Sequence, residues 1–139
     1  MISTLQAISE RLCEAQVTVQ DVAKALGDVI GGGEQGVPIK VRPADPAILD
    51  VRVVREDGSE HVSHVDLTPA QPFPMSALIA TFGPYHPVPR STNPKQPPRV
   101  RFDVRPFGMA HSAAIFARYE EGEHDPGGGM VIAVTIRRD

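Results

Sequence analysis

One short phrase occurs twice in this chain. Val37-Pro38-Ile39-Lys40-Val41-Arg42-Pro43 returns as Val100-Arg101-Phe102-Asp103-Val104-Arg105-Pro106. In both copies apolar side chains alternate with polar ones, the period of a strand with one buried face. Each copy follows a short amphipathic segment ending in glycine, Ala25-Leu26-Gly27 and Thr81-Phe82-Gly83, and precedes two more strand-like runs. Helix then three strands, used twice, predicts an α+β fold: a two-layer sandwich with helices on one face of a mostly antiparallel sheet of about six strands. The whole chain, 1–139, is expected to be a single domain, with 1–69 and 74–139 as its halves. A tandem αβββ pseudo-repeat and a chance recurrence of a tripeptide such as Val-Arg-Pro are both open readings.

The helical expectations rest on spacing. Ile2, Leu5, Ile8 and Leu12 share one face of a first helix. Thr18 with Asp21 three residues on has the form of an N-cap with an acid in the first turn, opening a second helix through Val19, Val22, Ala23 and Leu26. That helix is expected to fray into Gly31-Gly32-Gly33, where glycine makes helix costly. Met75, Leu78, Ile79 and Phe82 predict a third, closed by Gly83-Pro84.

The predicted strands are Val37–Val41, Ile48–Arg55 with Leu49, Val51 and Val53 inward, His61–Thr68, Val100–Val104, Ala113–Glu120, and Met130–Arg137 with Ile132, Val134 and Ile136 inward. Pro69–Pro74 reads as a linker. Pro84–Pro98, with six prolines, reads as an irregular loop.

A 139-residue chain with 41% hydrophobic residues has enough apolar material for one core, which must rest on Val, Ile, Leu and Ala because aromatics are 5% and Trp is absent. The net charge of -3 argues against a mainly electrostatic nucleic-acid binder while leaving room for a local basic face. The single cysteine, Cys13, supports no internal disulfide and no multi-cysteine metal site, and its neighbours Leu12 and Glu14 give no reason for a reactive thiol. With no basic, apolar leader and no run of transmembrane length, the expectation is a cytoplasmic protein without a membrane partner.

Few residues carry a chemical signal. His64 and Asp66 share a strand face, but no third ligand converges on them, so no metal is expected. Tyr85, His86 and Arg90 stand together in the proline-rich loop and could bind an anion or exchange protons. Ser91 and Thr92 show no means of activation, which favours partner recognition over catalysis there. Glu120, Glu121, Glu123, His124 and Asp125 form an acidic loop without the ligand spacing of a calcium site. The two triple-glycine runs lack the Gly-Lys-Ser/Thr element of a phosphate loop, so no cofactor is expected.

The strongest functional expectation comes from alternation. With Val100, Phe102 and Val104 inward, Arg101, Asp103 and Arg105 face outward. Arg118 shares that side with Phe116, and Arg137 with Thr135 and Ala133; in the first half Lys40, Arg42, Arg52, His64 and Asp66 correspond. Arginine and aromatic residues are favoured at protein interfaces, although a solvated sheet face reads the same way.

The element order from about Thr18 to Asp139 resembles the tandem helix-plus-sheet repeat of β-lactamase inhibitory proteins and their small lipoprotein relatives. Those are exported, whereas this chain shows neither a signal nor a lipobox cysteine, and no residue motif carries over. Type III secretion chaperones share the small, acidic α+β format but usually end in a helix, where a strand is expected here.

Three classes of function follow. The leading one is a non-catalytic protein-binding module or accessory subunit, of inhibitor or immunity type, docking through Arg101, Arg105, Phe116, Arg118 and Arg137 or through Tyr85, His86 and Arg90. The second is a small enzyme or ligand carrier built on Tyr85, His86 and Arg90. The third is a self-associating subunit, a homodimer pairing through the edge strands near Val37–Val41 or Ile132–Ile136.

Overall fold

A computed structural model of the protein describes residues 1–34, 36–89, 92–93, 95–120 and 125–139. The first helix, α1 (Ile2–Leu12), buries Leu5, Ile8 and Leu12 along one face. Its C-terminal end is held by a distant residue: Arg138 donates from Nε to the Leu12 carbonyl and from Nη2 to the Glu14 carbonyl, both at 2.9 Å. A cation there also complements the negative end of the helix.

The second helix, α2 (Val19–Leu26), starts at the expected cap. Thr18 Oγ1 accepts from the Asp21 N–H, and Asp21 Oδ2 accepts from the Thr18 N–H, both at 3.2 Å. A cap of this kind contributes about 0.5–2 kcal/mol.

Helix α2 does not fray into the triple glycine. It stops at Gly27, whose φ of 155° turns the chain straight into a strand, β1 (Gly27–Gly31). A side chain on Gly27 would run into the Arg42 carbonyl oxygen, so the close approach of two backbones selects glycine here.

The remaining elements are β2 (Ile39–Pro43), β3 (Ile48–Arg55), β4 (Val62–Pro69), β5 (Phe73–Pro74), α3 (Met75–Phe82), β6 (His86–Pro87), β7 (Arg99–Val104), β8 (Ala113–Tyr119), a 3-10 turn (Pro126–Gly128) and β9 (Met130–Arg138). Among the described residues, nine strands join one antiparallel sheet in the order β1-β2-β3-β4-β9-β8-β7-β6, with β5 pairing to β9 off this path. The six expected strands correspond to β2, β3, β4, β7, β8 and β9. The three others are β1, β5 in the stretch read as a linker, and β6 in the proline-rich loop. Two are only two residues long, too short for alternation to reveal them. The last element is a strand, as expected.

The inward rows of the sheet and the buried faces of the three helices form one cluster running from Leu5 to Ile136. Phe102, fully buried, lies at its second-half end, its ring 6.4 Å from that of Phe82 and 6.5 Å, edge-on, from that of Tyr85. Burying each such side chain is worth about 1.5–3 kcal/mol.

Two inward assignments are corrected by β-bulges. Ile48 pairs with Pro69 and Asp50 with Thr68, leaving Leu49 as the extra residue, and it is 67% exposed while Ile48 is buried. Tyr119 pairs with Val131 and Arg118 with Ala133, so Val131 rather than Ile132 enters the core. One extra residue reverses the alternation on one side of it. Among the described residues, no helix is long and apolar enough to cross a membrane.

Candidate protein interface on the open sheet face

Among the described residues, the helices pack on one side of the sheet, against the buried rows. Strand pairing lines up the other side as a continuous rung: His86 beside Arg101, then Phe116, Thr135, Asp66, Arg52 and Lys40. On the next rung Arg99 stands opposite Arg118, which stands opposite Ala133. The rung on the far side carries Asp103, Ala114, Arg137 and His64.

Phe116 is the centre of this face. It is 7% exposed yet lies outside the core cluster, because guanidinium groups rather than helices cover it. The guanidinium carbons of Arg99, Arg137 and Arg101 lie 4.7, 5.0 and 5.8 Å from its ring centroid. Each is within range of cation–π attraction, worth about 0.5–1 kcal/mol at exposed sites.

The cations differ in their partners. Arg101 donates from Nε to Asp103 at 2.9 Å and from Nη2 to Asp139 at 2.6 Å. His86 is 3.3 Å from Asp103, His64 is 3.4 Å from Asp66, and Arg52 is 3.3 Å from Asp50. Asp66 also accepts from the Thr135 hydroxyl at 2.7 Å. The acids of the face are therefore engaged locally.

Arg118 donates to the Pro97 carbonyl at 2.9 Å, and Arg137 has a long contact of 3.9 Å to Asp139. Among the described residues, no carboxylate forms an ion pair with Arg99 or Arg118. Burial first, then the charges of Arg118 and Arg137, push the Arg99 guanidinium below its ordinary pKa.

Arg101, Phe116, Arg118 and Arg137 thus share one face. Arg105 lies just past the end of β7 and is exposed. Tyr85 and His86 do not converge: Tyr85 packs its ring on Phe102 in the core layer, while His86 reaches Asp103 on the open face. Arg90, Ser91, Glu121, Glu123 and His124 lie outside the described residues. Arg99 is the member that sequence reasoning missed, although carrying the alternation one residue back from Val100 would have found it.

A cleft of about 450 Å³ opens elsewhere, lined by Val37, Pro38, Arg55, Glu60 and the Glu56–Ser59 turn, and not by Tyr85 or His86. Among the described residues no cluster of three or more His, Cys, Asp or Glu could hold a metal ion. Compared with protein-family models, with curated proteins and with solved structures, the chain matches none.

Proposed function

We propose that the protein is a non-catalytic protein-binding module of the cytoplasm that docks another protein on its open sheet face. The observation that carries this reading is the group of guanidiniums over Phe116, on the side that no helix covers. An aromatic ringed by arginines is typical of the residues that dominate binding energy at interfaces. Ala114, Ala133 and Thr135 flank it with short side chains, which leaves the arginines over the ring as the groups a partner meets first. The alternative of an enzyme at Tyr85 and His86 lacks support, because those two side chains point to different layers.

A photo-crosslinking residue at Thr135 tests this in the native host, with one at Gln6 on the exposed side of α1 as control. Adducts to another protein from Thr135 and none from Gln6 support the reading. Adducts from Gln6 alone overturn it.

A second reading, self-association, is favoured by β1. Among the described residues this strand pairs with β2 alone, and its Val29 and Ile30 are 49% and 47% exposed on a free sheet edge without Lys or Pro to protect it. Neither expected edge is one: β2 lies inside β1, and β9, which holds Ile132–Ile136, is interior between β4 and β8. Sedimentation over a range of concentrations tests this, and a constant monomer mass ends it.

We also read the two halves as a tandem repeat. The recurring phrase falls on β2 and β7, each the second strand after a helix closed by glycine, and each next to the outermost strand on its side of the sheet.

A further inference from the structure

We propose that Arg99, Arg118 and Arg137 around Phe116 form a receptor for carboxylates, and that the docked protein presents an acidic segment to it. This rests on the open face being a docking surface and adds the chemistry of what docks.

Charge complementarity is the first support. Arg99 and Arg118 are direct neighbours across β7 and β8, an arrangement of like charges that destabilises a sheet unless an anion offsets it. The neighbouring Arg101 and Arg52 have carboxylate partners, whereas Arg99 and Arg118, side by side, have none among the described residues.

Geometry is the second support. A guanidinium held over an aromatic ring engages its π face and keeps its edge N–H donors for a carboxylate. The ring beneath is nearly closed to water, which strengthens such bonds.

Acidic protein is favoured over nucleic acid by the rest of the face. Asp50, Asp66 and Asp103 interrupt the cations on the neighbouring rungs and rows, so the described residues form no extended basic track for a phosphate backbone. A compact anionic group fits where a polyanion would meet repulsion.

The test is titration of the full chain with a short capped oligoglutamate peptide, its glutamine counterpart and a single-stranded oligonucleotide, followed by calorimetry and amide NMR shifts. The glutamate peptide is expected to bind, to shift Arg99, Arg118 and Arg137, and to weaken as salt rises. Arg99→Gln with Arg118→Gln should reduce affinity about tenfold or more, and Arg52→Gln on the same face should not. The shift map of the unmodified protein keeps the test valid should the double variant melt early. No binding by the glutamate peptide, equal binding by the glutamine peptide, or tighter binding by the oligonucleotide each overturns the proposal. Crosslinks from Thr135 that persist after such a failure would retain docking and remove its acidic chemistry; oligoglutamate binding without those crosslinks would do the reverse.

Discussion

Arg101 and Asp139, 38 residues apart in the chain, meet at 2.6 Å on the open face. The same guanidinium also holds Asp103, and both acids are partly buried beside it. Arg101 is therefore a structural cation that ties the end of β9 to β7.

Arg101→Glu replaces two charged hydrogen bonds with two repulsions and should destabilise the protein by about 1–3 kcal/mol. Arg105→Glu, at an exposed position past the strand, should stay within about 0.5 kcal/mol of the parent. Urea melts of the two variants check this, and equal midpoints would show that the Asp103 and Asp139 contacts contribute nothing.

Phe102→Ala should cost about 3–5 kcal/mol, because the residue is fully buried between Phe82 and Tyr85 and its removal leaves a cavity. Phe116→Ala, which opens a space roofed by arginine side chains rather than by packed helices, should cost less. Denaturant midpoints for both variants test the assignment of faces, and the reverse order would mean that the sheet is turned over.

Asp45 accepts hydrogen bonds from the Met1 amine and the Thr4 hydroxyl, each at 2.8 Å, and from the Ala47 N–H at 2.9 Å. The amine first, then the Ala47 N–H and the Thr4 hydroxyl, lower its pKa from 3.8 to about 2. A carboxyl with a lowered folded-state pKa stabilises fully above its unfolded value, and that contribution is lost as pH falls from 3.8 through about 2. Asp45→Asn should lower stability at neutral pH and reduce the loss seen on acidification into that window. Melts at about pH 6 and about pH 2.5 check it, and parallel curves for parent and variant would contradict it.

Cys13 is fully buried and its thiol is within 3.2 Å of the Ser9 carbonyl. Burial raises its pKa, more than Arg138 lowers it, so little thiolate forms near neutral pH. A thiol reagent should label the native protein far more slowly than the urea-unfolded chain. Equal rates would place Cys13 at the surface.

Local signals were the most legible. The Thr18–Asp21 cap, the helical faces of Leu5, Ile8 and Leu12, and the outward row of Arg101, Phe116, Arg118 and Arg137 each follow from spacing within one segment. What escaped the sequence involved a partner segment. Leu49 and Ile132 were misplaced because a bulge is defined by the opposing strand, and β6 was invisible because two residues cannot show a period.

The sequence by itself determined the α+β class, the start of α2 and, away from the bulges at Leu49 and Ile132, the side of each long strand that faces the core, since side-chain alternation and capping are properties of contiguous residues. Tertiary structure decided that Arg101 would be engaged while Arg99 has no carboxylate partner among the described residues, and that Phe116 would lie beneath both. Those relationships depend on strand order and register, which bring together side chains from β7, β8 and β9 that no local pattern connects.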